Sequence, residues 1–590
     1  MWVTWPLAKH LRVAVPTSPN HAGTVPLLNV WTIWWNAESL SHGLVDYWDA
    51  PIFTPVPGAF AFSEPQPIGW AVAPVVWLTD SPTLAHNLLL TAFLAMNGWF
   101  AARLLRLLGC WPWTQLCGGA AMVLHPLALR HAEAIQLMSL WASLWAIMAL
   151  ILVHRQPNWR SGVHLGLAFA TTAAACLHHA LFLALIFIAC GWLVIPPRRP
   201  WPTLRALLIG GGAAALLLCP LVWPMHVIHG QHALSRDPEV VASLSATGSS
   251  WLAWPHSGWL SGWLRPGWFI PGIIEAPEKF PAPLLPGVIS TLLAAGGVVG
   301  WLGFGRRSSS GAKSARLKKE GAANATRNCD ASVALMLLIA IGLISFLFSF
   351  GPNLAWGACK PWEALSQWIA PLSRVRAPYR FAYFTQMAML LVAAWAADQL
   401  LQSGDPATRW SGRAWRQPLA VVGGLALLLL PLELKPPQFH LVYPPRVVPA
   451  VPSWSSVLAS QPQTGAVLCL PTAAGISEEA QEREARWMVA ATLHGRPILN
   501  GYSGFIPQSW QSLSLQLHRQ GLTRTVLTEV QQRGARWIVL RSDLRPQATR
   551  LQEQLVEHRS GETPLLEQIF DDGRYQVWRF LVADSDNTAN

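Results

Sequence analysis

The chain has 590 residues, of which 52% are hydrophobic and only 12% are charged, whereas roughly a quarter of the residues in ordinary soluble domains are charged. This deficit argues against a water-soluble enzyme and predicts a multi-pass membrane protein. The net charge of +12 comes from 42 Lys and Arg against 30 Asp and Glu. None of the eight cysteines forms a CxxC pair, which argues against a zinc ribbon or a disulfide framework.

Ten apolar segments approach the length of about 20 residues that a helix needs to cross a bilayer. Residues 1–8 (MWVTWPLA) look like the last turns of a further, partial span, and a large loop, 9–81, follows them. We therefore expect residues 1–434 to form a helical bundle of about eleven spans. The complete spans are predicted at 82–102, 112–128, 134–153, 162–177, 180–195, 204–224, 284–304, 332–350, 381–401 and 418–434.

Basic residues concentrate in alternate connecting segments. One set of segments contains 17 Lys and Arg against three acids, and the other set contains 10 basic and 11 acidic residues. By the positive-inside rule the first set is cytoplasmic. It includes the hydrophilic segment 305–331, which is predicted to be a flexible cytoplasmic loop and not a nucleic-acid-binding tail. Everything after Leu434 should then lie outside the cytoplasm.

The last part of the chain, 435–590, is hydrophilic and begins with a proline-rich linker. Three segments rich in β-branched and aromatic residues, 465–471, 535–541 and 575–580, predict short strands. The sequence between them shows helical spacing of apolar residues. We expect a small extracytoplasmic α/β domain.

The large first loop contains three acids of interest, Asp46, Asp49 and Glu64, after a Trp-rich stretch at 29–43 that suits an amphipathic helix on the membrane surface. Two interpretations stay open. The acids are ordinary solvated charges, or one of them activates an acceptor hydroxyl as general base or holds a divalent cation, Mg²⁺ or Mn²⁺. Asp49 ranks first because WDAP lies in a Trp- and Pro-rich context, and Asp46 ranks last.

Histidines concentrate at the predicted outer ends of the spans. His131 with Glu133, the His178–His179 turn, and the segment MHVIHGQH (225–232) all open to the same face, which predicts a polar cavity there. Hydrogen-bonded neutral histidines are the alternative to a functional role. No HExxH motif is present, so the sequence assigns no metal.

The segment SRVRAPYRFAYF (373–384) carries Arg374, Arg376 and Arg380 on the face where the other loops are poor in basic residues. Arginine pairs well with phosphate oxygens, and Pro378 can begin the next span. Binding of a lipid-linked phosphate and simple headgroup anchoring both explain the cluster. If the turn is regular, the spacing of four places Arg376 and Arg380 on one helical face.

The segment NGYSGF (500–505) in the C-terminal domain suits a turn, in which Tyr502 and Phe505 could stack on a sugar ring at the cavity mouth. A buried turn within the domain is the alternative. Nucleotide-binding and hydrolase signatures (GxxxxGK[ST], GxGxxG and GxSxG) are missing.

The order of these features is similar to that of a known family. The stretches PLLNVWTIWWNAESLSHG, WDAPIFTP, FSEP, LTDSPTLAHNLLLTAFLAMNGWFAARLL, HAEAIQLMSLW, FSFGPN and RVRAPYRF resemble bacterial membrane proteins of the glycosyltransferase C (GT-C) superfamily. The resemblance implies a lipid-phosphate-linked sugar donor, transfer outside the cytoplasm and an essential acid in the first outer loop. Proteins of this family usually carry Gly-Asp-Pro before the Leu-x-Asn-x-Trp stretch, but this chain reads Gly23-Thr24-Val25-Pro26.

The leading hypothesis is therefore a glycosyltransferase of the bacterial cytoplasmic membrane. It would move a sugar from a polyprenyl-phosphate carrier to an envelope glycan, lipid or protein, without a nucleic-acid partner. The missing acid keeps a second hypothesis open, an inactive envelope protein that binds lipid-linked glycans or supports their assembly. A lipid carrier or flippase is the third, and the nearly uncharged span centres argue against it.

Overall fold

The computed structural model describes residues 4–18, 23–197, 200–232, 236–253, 283–305, 322–355, 357, 359–403, 416–434, 439–445, 453–472, 477–560 and 564–581. The predicted cytoplasmic loop 305–331 lies mostly outside the described residues, as does most of the proline-rich linker.

The described part of the chain up to Leu434 is mainly helical. Proline begins many of these helices, in the first turn, where its missing N–H costs no hydrogen bond. The described helices are α1 Thr24–Ser41, α2 Ala73–Thr79, α3 Pro82–Leu107, α4 Pro112–Val123, α5 Pro126–Arg130, α6 Leu140–Arg155, α7 Trp159–Ala175, α8 Leu177–Cys190, α9 Pro200–Gln231, α10 Pro238–Ser243, α11 Gly248–Leu252, α12 Val288–Gly305, α13 Ala322–Ser349, α14 Pro361–Trp368, α15 Ala382–Gln402 and α16 Arg416–Glu433.

Some of these helices are long and apolar enough to cross a membrane. Among the described residues, five stretches meet both conditions: Pro82–Leu107, Leu177–Val194, Pro200–Gln231, Ala331–Ser349 and Pro378–Gln402. Several other predicted spans are shorter apolar helices, including α6, α12 and α16.

Several predicted spans have different limits in the structure. The segment predicted at 332–350 belongs to α13, which begins at Ala322, so the end of the predicted flexible loop 305–331 is helical. The segment predicted at 112–128 is interrupted, since α4 ends at Val123 and α5 begins at Pro126. Helix α9 continues past its predicted end at 224, through Pro220 and Pro224, which membrane helices tolerate when neighbouring groups satisfy the freed carbonyls.

Helix α15 lies at the centre of the bundle. It packs against α12, α13 and α16, and its residues from Ala382 to Gln386 are all buried. Helices α7 and α9 approach each other closely because small residues face each other, with Gly162 and Gly166 on α7 opposite Gly210 on α9. Such contacts between small residues are the usual means by which membrane helices pack backbone to backbone.

The C-terminal domain is an α/β unit. Its described sheet has four strands in the order β3-β4-β6-β5, in which β3 and β4 are parallel and the other neighbours are antiparallel. The strands are β3 Ala466–Leu470, β4 Ala535–Arg541, β5 Leu566–Asp571 and β6 Tyr575–Phe580, and the helices are α17 Trp454–Ala459, α18 Glu478–Ala491, α19 Gln508–Gln520, α20 Arg524–Gln532 and α21 Gln547–Ser560. The three strands expected from the sequence are confirmed, whereas β5 was not anticipated.

The first long loop packs into this domain instead of standing apart from it. Strand β1 (Val15–Thr17) pairs antiparallel with β2 (His440–Val442). The Phe53 N–H donates to the Asn500 carbonyl at 3.0 Å, and the Ile498 N–H donates to the Pro51 carbonyl at 3.1 Å. Loop residues such as Phe53 belong to the same hydrophobic core as the sheet.

Helix α1 is buried, unlike the membrane-surface helix that the Trp-rich stretch suggested. Its Ile33 packs into the core of the bundle, while Trp31 packs into the core of the C-terminal domain. Helix α1 also contacts α18 of that domain. A helix that is apolar all around is stable only when it is buried on most sides. Helix α1 thus joins the bundle to the domain.

The close contact of α7 with α9 leads to a stability prediction. A Cβ atom at Gly166 would lie 2.6 Å from the Gly210 carbonyl oxygen and 2.7 Å from the Ala213 Cβ. Gly166→Ala should therefore force the helices apart and destabilise the fold by about 1–3 kcal/mol, measured as a lower melting temperature in detergent. Gly211→Ala is the control, because nothing lies within 4 Å of its added Cβ. Equal melting temperatures for both variants would contradict this packing.

Candidate active site

A cavity of about 1290 Å³ lies between the helical bundle and the C-terminal domain. The domain contributes Glu478, Gln481, Tyr502, Gly504 and Phe505 to its surface. Part of the remaining lining is apolar and comes from three helices of the bundle. Those side chains are Phe169, Leu181, Leu218, Val222 and Met225, from α7, α8 and α9. The cavity therefore offers a polar end and an apolar side within one space.

Five arginines among the described residues line the cavity: Arg130, Arg236, Arg374, Arg376 and Arg380. None of them forms an ion pair with a carboxylate of a described residue. Three of the four cavity glutamates among the described residues have other partners: His178 bonds Glu64, His131 bonds Glu133, and the first amides of α12 bond Glu433. The arginines therefore form a cluster of positive charge in which no guanidinium is ion-paired with a described carboxylate, and such a cluster favours an anionic ligand.

The predicted arginine segment reaches the cavity by a different geometry from that expected. Arg374 ends a 3₁₀ turn (Ala370–Arg374), and Arg380 lies in a second one (Pro378–Phe381), separated from it by extended backbone at Val375. Arg376 and Arg380 therefore do not share a regular helical face. The Tyr379 amide donates to the Leu244 carbonyl at 3.2 Å, so it is not free to bind an anion.

Arg236 is a cavity residue that the sequence did not single out, because its segment reads as an ordinary loop. Its Nη1 donates to the Gly504 carbonyl at 2.7 Å, and its guanidinium lies 3.7 Å from the centre of the Phe505 ring. Burial, with the nearby charges of Arg376 and Arg380, lowers the pKa of Arg236 to about 10. The guanidinium stays charged at neutral pH, and an anion bound between these arginines would relieve their repulsion.

Glu64 is the predicted first-loop acid that the structure brings to the cavity. The carboxylate is buried, accepts a hydrogen bond from the Leu177 N–H, and lies 3.2 Å from His178 Nδ1. Burial alone would raise its pKa, but the charge and hydrogen bond of His178, together with the Leu177 amide, lower the pKa of Glu64 below its ordinary value. Glu64 is therefore ionised at neutral pH.

The other two acids lie elsewhere. Asp49 is exposed, outside the cavity lining, and its Oδ1 accepts a hydrogen bond from the Gly58 amide at 2.6 Å. Asp46 is also exposed, in the left-handed region with φ of 56°. Of the three acids predicted in the first loop, Glu64 lines the cavity, and Asp46 and Asp49 do not.

His131 and Glu133 form a buried chain of hydrogen bonds at the cavity surface. His131 Nδ1 lies 3.0 Å from Glu133 Oε1, and its Nε2 lies 3.1 Å from the hydroxyl of Tyr379. Ser18 donates to the second Glu133 oxygen at 2.6 Å. Burial outweighs the nearby Glu133 and lowers the pKa of His131, so a neutral imidazole donates from Nδ1 and accepts at Nε2. This chain fixes Tyr379 beside the arginines.

His178 lines the cavity, whereas its neighbour His179 does not. The His179 ring is completely buried and packs against Tyr383 and Phe384, with ring centres 5.5 and 5.6 Å away. The two predicted histidines thus have different surroundings.

Tyr502 and Phe505 face the cavity from the C-terminal domain, as the loop 500–505 was predicted to do. The loop is held from behind by Asn500, whose side chain is fully buried. Asn500 accepts from the Cys469 N–H at 2.7 Å and donates to the Cys469 carbonyl and to Glu484, each at 3.0 Å. Burial raises the pKa of Tyr502, so its phenol is protonated at neutral pH.

Glu478 is a further acid that sequence reasoning missed. It lines the cavity from the first turn of α18, and its backbone carbonyl accepts a hydrogen bond from the Thr24 hydroxyl at 3.3 Å. Thr24 follows Gly23, at the place where the resemblance implies an acid. A contact between positions 24 and 478 leaves no periodic signal in the sequence.

Comparison with known proteins identifies the fold. The chain matches two structures of the arabinofuranosyltransferase AftD from Mycobacteria, mutant R1389S, with TM-scores of 0.52 and 0.51, 15% and 14% identity, and coverage of 96% and 99% of this chain. It spans about two fifths of AftD, 41% of that chain. ArnT from Cupriavidus metallidurans bound to undecaprenyl phosphate matches at a TM-score of 0.38 and 14% identity, over 97% of this chain and 95% of ArnT.

No protein-family model matches the chain, and no curated protein matches it significantly. The fold is nevertheless clear: the protein is a multi-pass helical membrane protein with the GT-C architecture and a C-terminal α/β part. The resemblance expected from the sequence is confirmed at the level of the fold.

The contacts of Asn500 lead to a second prediction. Asn500→Ala would leave the Glu484 carboxylate and the Cys469 backbone without these hydrogen bonds in a buried place, at a cost of about 1–3 kcal/mol for each group. We expect faster hydrogen exchange in residues 466–470 and 498–505. Gln508→Ala, at an exposed helix start, should leave exchange unchanged. Unaltered exchange in Asn500→Ala would show that this side chain does not hold the loop.

Proposed function

We propose that the protein is a membrane glycosyltransferase that uses a polyprenyl-phosphate-linked sugar as donor. The observation that carries the proposal is the cluster of arginines that forms no ion pair with a carboxylate of the described residues, in a cavity that also has an apolar side. AftD, which has this fold, is an arabinofuranosyltransferase.

The arginine cluster supports binding of the donor phosphate. Arg236, Arg376 and Arg380 are close enough for their charges to interact, and planar guanidinium groups match pairs of phosphate oxygens. A partly enclosed cavity strengthens such contacts, because water screens them less. Headgroup anchoring alone would not require Arg236, which is held over Phe505 at the C-terminal domain.

The apolar side of the cavity supports a lipid carrier. It is lined by parts of α7, α8 and α9, including Phe169, Leu181 and Val222. Each buried methylene group of a polyprenyl chain would contribute about 0.8 kcal/mol to binding. A phosphate at the arginines with its lipid along these helices would use both parts of the cavity.

Glu64 is our first candidate for activation of the acceptor hydroxyl, and Glu478 is the second. An ionised carboxylate can take up the proton that the hydroxyl loses as it attacks the sugar. The side chains of Tyr502 and Phe505 offer flat surfaces on which a sugar ring can stack.

We further propose that the cavity and the C-terminal domain lie on the extracytoplasmic side of a bacterial cytoplasmic membrane. The support is the charge distribution in the sequence, with 17 basic residues against three acids in the opposite set of loops.

A second function, binding of lipid-linked glycans without transfer, is favoured by one observation. The first turn of α1 has Gly23 and Thr24 where the resemblance implies an acid, and the Gly23 amide donates to Glu482 at 2.9 Å. A transfer assay in membranes with labelled polyprenyl-phosphate sugars separates the two functions.

The phosphate site is tested with Arg376→Ala combined with Arg380→Ala. Each lost charge-assisted hydrogen bond costs about 1.5–3 kcal/mol, so binding of polyprenyl phosphate to the purified protein should weaken about a hundredfold or more. Arg574→Ala is the matched control, because Arg574 is exposed and pairs with Asp543 in the C-terminal domain. Equally small effects in both variants would mean that the arginines only anchor the helix end.

The carboxylate is tested with Glu64→Gln, which keeps the shape of the side chain. Loss of a general base typically lowers the rate by a factor of about 10²–10⁴, so transfer of labelled sugar should fall by that amount while membrane insertion stays unchanged. Asp49→Asn should retain transfer, since its oxygen still accepts the Gly58 hydrogen bond. Full activity in Glu64→Gln would remove Glu64 from the reaction and leave Glu478 to be tested in the same way.

A further inference from the structure

Three chemically different metal-binding side chains meet beside the cavity. A carboxylate oxygen of Glu64, the Sγ of Cys176 and a ring nitrogen of His178 all lie within 4.8 Å of one another. We propose that these three residues bind a zinc ion. The ion would sit where the first long loop meets the start of α8.

The choice of metal follows from the donor atoms. Thiolate and imidazole are preferred ligands of Zn²⁺, which also accepts carboxylate oxygen. Mg²⁺ and Mn²⁺ prefer oxygen ligands, so a site that includes Cys176 does not suit them. This site therefore differs in chemistry from a magnesium or manganese site formed by the acids of the first loop.

The backbone around Cys176 brings the three side chains together. Helix α7 ends at Ala175, and Cys176 takes an extended conformation with φ of −158° and ψ of 110° before α8 begins at Leu177. Cys176 thereby caps α8, with its sulfur 3.5 Å from the His179 amide. Glu64 meets the same helix start through the Leu177 N–H. The short turn between α7 and α8 thus positions Cys176 and His178, and the hydrogen bond from the Leu177 N–H brings Glu64 to them.

A second observation at the same place also indicates a ligand. His179 is completely buried, and neither of its ring nitrogens has a hydrogen-bond partner among the described residues. It lies close to Glu64. Since a buried polar group without a partner costs about 1–3 kcal/mol, His179 is a candidate for a hydrogen bond to a group on the ion.

The site would be open to the cavity on one side. Glu64 and His178 both line the cavity, whereas Cys176 does not. Three protein ligands with one open position are typical of zinc sites that act on a substrate, whereas structural sites are closed by four. On binding, the Cys176 thiol loses its proton to solvent and its sulfur bonds to the ion. The open position would take an oxygen atom of the ligand in the cavity.

This inference deepens the proposed function and, for the role of the ion, rests on it. With zinc bound, Glu64 acts as a ligand, and the ion lowers the pKa of an acceptor hydroxyl that coordinates to it. Metal binding itself does not depend on sugar transfer, so the two can be tested separately.

The test is zinc content, measured by mass spectrometry on the full chain purified in detergent without metal resin, incubated with Zn²⁺ and desalted. We expect about one zinc ion per chain in the wild type and at most about a tenth of that in Cys176→Ser. Serine is a favoured helix cap, so this variant keeps the cap of α8 while losing the thiolate. Cys190→Ser, at the far end of the same helix, is the matched control and should keep the zinc.

Cobalt provides the second measurement. Co²⁺ added to the wild type should give a thiolate-to-cobalt absorption band that Cys176→Ser lacks. No bound zinc in the wild type, or equal zinc in Cys176→Ser, would overturn the site. If zinc binds as expected but no labelled sugar is transferred, the site stands and the proposed transferase function fails.

Discussion

The backbone hydrogen bonds between residues 51–54 and 498–500 hold the first long loop on the C-terminal domain. Everything else at the cavity depends on this contact. It places Glu64, about ten residues further along the loop, against the start of α8, and it places Tyr502 near Arg236 and Arg376. The hydrophobic core of the domain includes Phe53 of the loop and Trp31 of α1, so the loop, α1 and the domain stabilise one another. The cavity lies between the helical bundle on one side and the first loop with the C-terminal domain on the other.

The cavity combines interactions that a folded protein usually avoids. Arg236, Arg376 and Arg380 repel one another, and no described carboxylate neutralises them. The surrounding structure offsets the free energy of this repulsion. Phe505 stacks on the Arg236 guanidinium, and the hydrogen bonds of Glu133 and His131 hold Tyr379 near another arginine. Sites that store unfavourable electrostatic energy in this way are commonly binding sites, since their ligand removes the repulsion.

Much of the architecture was predictable from the sequence, because long apolar segments predict membrane helices and basic residues concentrate in the segments that connect them. The strands β3, β4 and β6 were predictable for the same reason, since their β-branched and aromatic residues are local signals. The pairing of the first loop with the domain was not predictable, because contacts between residues about 450 positions apart leave no periodicity. Arg236 and Glu478 were missed on that account, and Asp49 was ranked above Glu64 because local sequence does not show which acid turns inward.

The length of the chain between the two halves of this unit has a consequence for biosynthesis. Gly23 and Glu482, which hydrogen-bond across the junction, are 459 positions apart. At roughly 5–20 residues per second, ribosomes need roughly 20 to 90 s to make the intervening chain. During that time the apolar faces of α1 and of the loop have no permanent partner. Newly made chains therefore pass through a long stage in which these surfaces depend on lipid or chaperones for cover, and the cavity is completed only after nearly the whole protein has been synthesised.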